Sequence, residues 1–530
     1  MSIVYLFSTP YTGENAVQSR LILLSTFIVL ACLLFNLLSS RKPQVKAPVV
    51  GYRSSLEPTW LVRLRFVRGS QSILKDGYYK FKSSMFIIHR IGTEVLVLSN
   101  TRIEEVRTVS HDVESSVEPF INDFAGDFTC GMVFLHSDLQ NRVLQQKLTP
   151  TLASLAPIMK TELDFALRND MPYCEEWVTV DIIPVFARII ARISARIFLG
   201  PHQSRNDEWL STTAQYTENL FITGMFLRMF PKYSRPFIAP LFPPYRALRR
   251  NVAAARRIIG DIVASRRAEE NGPSNTRTEP TDILQWMMEM AVGEETALEN
   301  LAQRILILSL SSIHTTALTM TQALYDLIAH PEYIEPIKRE IIEVLREGGG
   351  WQKTTLNRFR KLDSLLKESQ RFNPVFLLTF NRILHNPVTL SDGTTLYAGT
   401  RIAVPSHQML QDVDHVPGPT PPSQFDPFRY SRMREDPKHP ENAQKFLFAM
   451  VDSSNMAFGY GKHACPGRFY TSNEMKMILA HVLLRYEWKF PPGQGRPRNF
   501  TIDTDMYPDP AARVMLKRTD MVDDSVIRLI

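Results

Sequence analysis

The chain has 530 residues, 44% hydrophobic and 22% charged, enough apolar side chain for a large packed core, which excludes a disordered scaffold. Lys plus Arg number 61 against 54 Asp plus Glu, and the net charge of +7 is spread along the chain with no basic arm, which excludes a nucleic-acid partner and favours an acidic protein or a membrane surface. Four cysteines, Cys32, Cys130, Cys174 and Cys465, are too few and too scattered for a disulfide framework or a CxxC zinc site.

At the amino end, residues 21–40 read LILLSTFIVLACLLFNLLSS without a charge, and as a helix they span roughly the 30 Å of a bilayer core. This is longer than a secretory signal core and runs straight into Arg41, Lys42 and Lys46, so it is expected to stay as an anchor with everything beyond residue 41 in the cytosol. The expected organisation is a short lumenal terminus over 1–20, a transmembrane anchor over 21–40, a basic linker with prolines over 41–60 and one large domain over 61–530. The Asn499-Phe500-Thr501 sequon is then predicted to be unmodified, because it never meets the lumenal transferase.

Beyond residue 51 no 20–50-residue repeat appears and the polar breaks are short. Helical patterning recurs over 139–168, 181–198, 246–268, 296–329, 354–371 and 467–486, while alternating runs such as Glu94 to Leu98 read as strands. The predicted fold class is mainly α with small β-sheets. Leu301 to Ala329 is the longest stretch of helical character and should cross the whole core before stopping at His330-Pro331. Downstream, Glu368 and Arg371 at i and i+3 share one helix face; alone, such a pair is as consistent with an ordinary surface ion pair.

The most informative segment is Phe458-Gly459-Tyr460-Gly461-Lys462-His463-Ala464-Cys465-Pro466-Gly467. Two glycines permit a tight positive-φ turn ahead of a cysteine, and Pro466 suits the first position of the helix over 467–486. Cys465 would then lie at a helix amino terminus whose dipole favours thiolate, an anion poised to ligate metal. Gly467 would let that helix approach a flat cofactor, and Phe458 would shield the sulfur from water. A lone cysteine is otherwise most simply a small buried hydrophobe.

This loop resembles the haem-binding loop of the cytochrome P-450 superfamily, F-x-x-G-x-[RH]-x-C-x-G, through Phe458, Gly461, His463, Cys465 and Gly467. The resemblance implies a cytochrome P-450 fold behind the anchor and haem b with Cys465 thiolate as axial iron ligand, donating electron density that favours O–O cleavage. It implies that His463, in the place of a more usual arginine, and Arg382 bind haem propionates. Pro422-Ser423-Gln424-Phe425-Asp426-Pro427-Phe428-Arg429 resembles the family's P-x-x-F-x-P-x-R, which implies a buried structural network of Glu368, Arg371 and Arg429. Ser311-Ser312-Ile313-His314-Thr315-Thr316 stands in the place of [AG]-G-x-[DE]-T-T. Thr315 is thereby the candidate for proton delivery, its hydroxyl opening the helix ladder into a groove for dioxygen and water. His314, in the place of a carboxylate, either relays protons or hydrogen-bonds across the helix. The tryptophan and arginine of an earlier helix appear as Asn141 and Gln145, with Arg142 or Lys147 as substitutes or merely as a solvated face.

No dinucleotide fingerprint or flavin segment is evident, so electrons must come from an NADPH-cytochrome reductase docking on a basic face. The expected protein is a single-pass monooxygenase of the endoplasmic reticulum membrane, its catalytic domain cytosolic. It takes O₂ and a lipophilic substrate, resembling fungal secondary-metabolism members that act on diterpenes, indole diterpenes and meroterpenoids. Residues Phe120 to Phe134, Phe221 to Phe230, Leu306 to Ile313 and Val375 to Phe380 are candidate pocket linings, rich in Phe, Leu and Ile. A haem-thiolate isomerase or dehydratase working without O₂, a polyketide monooxygenase and a non-enzymatic ligand receptor are the competing readings.

Overall fold

Residues 298–329 contain neither proline nor glycine and bury an apolar surface along their length, so they form one long helix, and the rest of the molecule is arranged around it. The computed structural model describes residues 45–110, 112–129, 131–270, 280–348 and 350–519. The expected anchor over 21–40, Cys32 and Cys130 lie outside them. Among the described residues no helix is long and apolar enough to cross a membrane. The helices that place the site are α1 (Thr59–Lys80), α2 (Glu118–Asp123), α3 (Thr149–Asp170), α4 (Ile182–Leu199), α5 (Asp207–Arg228), α6 (Pro243–Glu270), α7 (Leu298–Ala329), α8 (Arg360–Phe372), α9 (Arg429–Arg434) and α10 (Arg468–Arg485). Helix α7 packs on α4, α6, α8 and α10, with Leu301, Ile305, Met320 and Leu324 fully buried. It ends at His330, before Pro331, as the sequence predicts.

The strands form small sheets. One holds β1 (Val49–Val50), β2 (Phe86–Arg90), β3 (Thr93–Val97), β4 (Glu114–Ser115), β6 (Thr379–Leu384) and β7 (Arg401–Val404) in the order β1-β2-β3-β7-β6-β4; between β4 and β6 in the chain comes β5 (Val178–Val180). Strand β5 joins β8 (Tyr486–Lys489) and β11 (Val514–Arg518) in a second sheet, and β9 (Phe500–Ile502) with β10 (Asp505–Tyr507) makes a hairpin. The mainly helical class is thus observed.

Three local expectations are corrected. The predicted helix 354–371 is broken at Phe359, whose buried ring packs edge-on against Trp351; the Glu340 carboxylate accepts the Lys361 and Leu362 amides and so starts α8 afresh. The stretch 139–168 contains a π turn at Leu144–Leu148. Helix α10 begins at Arg468 rather than at Pro466, with Gly467 as its cap.

A buried ionic cluster ties several of these connections together. Arg90 of β2 lies 2.7 Å from Asp503 at the tip of the β9–β10 hairpin and 3.2 Å from Asp123 at the end of α2. Arg401 lies 2.7 Å from Asp123, and Arg228, at the end of α5, bonds Asp503. Burial alone would raise the Asp123 pKa, but the Arg90, Arg401 and Arg228 guanidiniums hold its carboxyl far below the usual range.

Candidate haem-thiolate site

Between α9 and α10 the chain turns twice through left-handed backbone, at Gly459 (φ 75°) and Gly461 (φ 67°). A Cβ on Gly459 would sit 3.0 Å from the His463 carbonyl and one on Gly461 would strike the Arg107 side chain at 2.9 Å, so both positions require glycine. The Cys465 amide donates to the Phe458 carbonyl at 2.7 Å, closing the loop, and the Phe458 ring packs edge-on against buried Phe448. Cys465 is accessible although its neighbours Ala464 and Tyr470 are buried. Cys174, the other cysteine among the described residues, is buried near Leu516.

The chain alone does not favour thiolate as the helix terminus led one to expect. Burial raises the Cys465 thiol pKa and outweighs the Gly467 and Arg468 amides and the Arg468 charge, which pull it down. Coordination to iron would supply the missing stabilisation, since a ligating thiol is deprotonated outright. A Cβ on Gly467 would meet nothing within 4 Å, so the start of α10 leaves room for a flat ring beside the sulfur. The residues present therefore fit a haem.

Thr315 of α7 donates to the Ser311 carbonyl at 2.6 Å, and Ser311 is itself exposed. This is the predicted bond one turn back, but α7 remains unbroken α-helix, so the expected opening of the ladder does not occur. The reason is repetition: Ser309, Ser311 and Thr319 each bond a carbonyl four residues back in the same way, and the N–H ladder accommodates them all. His314 is half-buried, and its Nε2 has no hydrogen-bond partner among the described residues. Desolvation lowers its pKa to about 4, so it is neutral near neutral pH. Folding thus lowers this pKa and the unfolded chain binds the extra proton; the contribution to stability is full above pH ~6.5 and is lost as pH falls towards ~4. The thermal midpoint of the wild type is expected to fall more between pH ~7 and pH ~5 than that of His314→Asn. Equal pH dependence of the two would refute the assignment.

On the other side of the loop, His463 and Arg382 meet at a carboxylate the sequence reading missed, Glu114 of β4. His463 Nε2 lies 2.8 Å and Arg382 Nε 2.8 Å from the Glu114 oxygens, and His463 Nδ1 lies 2.9 Å from Ser116 Oγ. Arg382 is placed by a bulge in β6, where Phe380 takes φ 54° and its ring lies beneath the guanidinium. Burial lowers the Arg382 pKa to about 10, against the opposing pull of Glu114. The two side chains expected at the haem propionates are thus brought together, with the Glu114 carboxylate as their shared partner. Asn141 is half-buried and Gln145 exposed; the proposed substitutes are committed elsewhere, Arg142 to Glu295 at 2.6 Å and Lys147 to Glu289 at 3.5 Å.

Glu368, Arg371 and Arg429 come together in the core. Arg371 grips Glu368 by two parallel bonds of 2.8 and 2.9 Å, Arg429 approaches the same carboxylate at 3.4 Å, and all three side chains are inaccessible. The pocket segments also converge in part: Phe124 packs edge-on to Phe221, and a Cβ on Gly224 would lie 2.9 Å from the Phe124 backbone.

The family model Cytochrome P450 matches residues 56–510. The chain belongs to the cytochrome P450 family. The cofactor of this cytochrome P450 is therefore haem with a cysteine thiolate on the iron, and its activity is that of a monooxygenase drawing on a redox partner, O₂ and a lipophilic substrate. It is 60% identical to Ent-kaurene oxidase P450-4 of Gibberella fujikuroi over 487 residues, 92% of this chain and 95% of that one. It is 47% identical to a cytochrome P450 monooxygenase of Emericella nidulans over 474 residues, 89% and 88% of the two chains. Among solved structures, the retinoic acid bound cyanobacterial CYP120A1 superimposes with a TM-score of 0.65 at 19% identity, covering 86% of this chain and 96% of that one, a likeness of fold alone.

Proposed function

We propose that this cytochrome P450 oxidises an apolar polycyclic terpenoid, of the diterpene or meroterpenoid class, in a fungal biosynthetic pathway. The 60% identity to an ent-kaurene oxidase over nearly the whole of both chains carries this reading. The aromatic contacts of Phe120, Phe124 and Phe221 supply a bulky apolar wall suited to a hydrocarbon skeleton that offers few hydrogen bonds. Haem held by Cys465 supplies the activation of dioxygen. Phe458 would lie beside the bound sulfur, Gly459, Gly461 and Gly467 shape the loop around it, and His463 and Arg382, with Glu114 between them, would face the propionate edge. Thr315 presents a hydroxyl on the oxygen side, and Glu368, Arg371 and Arg429 lock the cysteine side.

We further assign residues 1–20 to the lumen, 21–40 to a single-pass anchor in the endoplasmic reticulum membrane, 41–60 to a linker and 61–530 to a cytosolic catalytic domain served by an NADPH-cytochrome reductase. Exposed Tyr233, Phe237 and Leu241, with Lys232 beside them, and exposed Leu56, Leu61 and Leu64 support membrane contact by the domain itself. In microsomes containing the full chain and the reductase, ent-kaurene and a panel of diterpenes and meroterpenoids are expected to yield products carrying an atom from labelled O₂. No product from any class would overturn the terpenoid assignment, and product formed without O₂ and NADPH would make the protein an isomerase or dehydratase.

A further inference from the structure

The Glu114 carboxylate joins parts of the chain that no sequence motif connects. It stands on β4, is 2% exposed, and meets His463 Nε2 of the cysteine loop and Arg382 Nε of β6, both at 2.8 Å, with Lys462 Nζ at 3.9 Å. The sheet does not need it there. Strand β4 is held on β6 by backbone pairing of Glu114 with Leu384 and of Ser115 with Ile383, and the His385 amide donates to the Val113 carbonyl at 2.7 Å. A buried acid is costly unless its oxygens are satisfied, and apolar packing would fill the space more cheaply. This carboxylate is only half satisfied: Oε1 is bonded to His463, while Oε2, close to Arg382 Nε, accepts no hydrogen bond among the described residues. Burial would raise the Glu114 pKa, but the His463 bond and the Arg382 charge hold it below the usual carboxylate range, so it is ionised near neutral pH.

Glu114 alone does not balance the positive side of this cluster. Arg382 and Lys462 are two full cations against one carboxylate, and Arg382 is 5% exposed. Its Nη1 donates to the Asn381 carbonyl at 2.7 Å, and among the described residues its Nη2 donates to nothing. Burial lowers the Arg382 pKa to about 10 against the pull of Glu114, the mark of a cation short of counter-charge. A further anion would complete the cluster, and Nη2 is left to receive it. Both ring nitrogens of His463, in contrast, are engaged by the chain, Nε2 by Glu114 and Nδ1 by Ser116. We propose that Glu114 is the internal counter-ion of the haem-propionate edge: it orients Arg382 and His463 for the propionates and, as a fixed negative charge beside them, lowers the reduction potential of the iron. Ferrous iron carries one positive charge fewer than ferric, so a neighbouring carboxylate disfavours it, the more so where burial keeps water from screening the charge. Glu114 is a positioning residue, acting through those two side chains, and the proposal rests on reading them as the propionate side.

The test uses the full-length, haem-loaded protein, read by its reduction potential and by the rate at which it gives up haem to excess apomyoglobin. Glu114→Gln removes the charge and keeps an oxygen for His463: the potential is expected to rise, with the thiolate band of the ferrous carbon monoxide complex unchanged. Glu114→Asp keeps the charge but falls short of Arg382 and His463 by one methylene. Its potential should stay near wild type and its haem should leave faster by about 10-fold, the low end of what groups that hold a metal centre's ligands contribute. Glu118→Gln removes a half-buried carboxylate paired with His385, and should leave both readings in place. Wild-type potential in Glu114→Gln, or wild-type haem release in Glu114→Asp, would overturn the proposal, as would an equal rise of potential in Glu118→Gln. Should Glu114→Gln retain no haem, the release rate of Glu114→Asp decides alone. Arg382→Gln separates the proposal from the reading beneath it, since losing a cation should lower the potential and speed haem release. If it does so while the Glu114 variants behave as wild type, the counter-ion role fails and the propionate side stands; if it too behaves as wild type, the reading of Arg382 fails.

Discussion

Cys465→Ser is expected to reduce product formation to background while leaving a folded protein. The loop does not depend on the sulfur for its shape: it is closed by the Cys465 amide on the Phe458 carbonyl, by Ala464 on the Gly461 carbonyl, and by Arg468, whose guanidinium donates to the Cys465 carbonyl at 2.8 Å. A serine hydroxyl fits the same space and can accept from the same Gly467 and Arg468 amides. It cannot replace thiolate chemically, because a serine hydroxyl does not ionise in this range and lacks the electron donation that favours O–O cleavage. The ferrous carbon monoxide complex should lose its thiolate band, and the thermal midpoint of the haem-free chain should stay near that of the wild type. Retained turnover with the thiolate band intact would remove the basis of the site.

How much of this was legible in the sequence depended on how local each interaction is. The cysteine loop is written in ten consecutive residues, with glycines where the backbone needs positive φ, and the structure places them so. Glu368 and Arg371 meet because i and i+3 share a helix face, and Arg429 follows from a second contiguous motif. Glu114 was invisible: it sits in a two-residue strand and reaches His463 from 349 positions away, a contact that only the sheet order β7-β6-β4 creates. The break at Phe359 is likewise tertiary, imposed by Glu340 and Trp351 on residues whose periodicity is helical throughout. Conversely, Arg142 and Lys147 carried the right charge in the right region, yet carboxylates on other segments claim both.

The second large effect concerns stability. Glu368→Ala is expected to destabilise the protein by about 3–5 kcal/mol, because it leaves two buried guanidiniums without their shared counter-ion. Arg371 is inaccessible and would keep only its bond to the Leu410 carbonyl, 2.7 Å away. Arg429 would fare better, since the carbonyls of Pro417, Thr420, Pro421 and Gln424 surround it. The Asp426 amide, which donates to Glu368 at 3.0 Å, would lose its acceptor as well. Glu368→Gln preserves shape but turns an NH₂ donor towards groups that only donate, so it should cost nearly as much. Since domains are typically stable by about 5–15 kcal/mol, either change should sharply lower the yield of folded protein and the denaturant midpoint of what remains. Arg371→Lys discriminates between charge and geometry: it keeps the positive charge but cannot grip both Glu368 oxygens in parallel, and should lose a substantial part of the same energy. A Glu368→Ala protein unfolding within about 1 kcal/mol of wild type would show that the three side chains do not act as one buried unit.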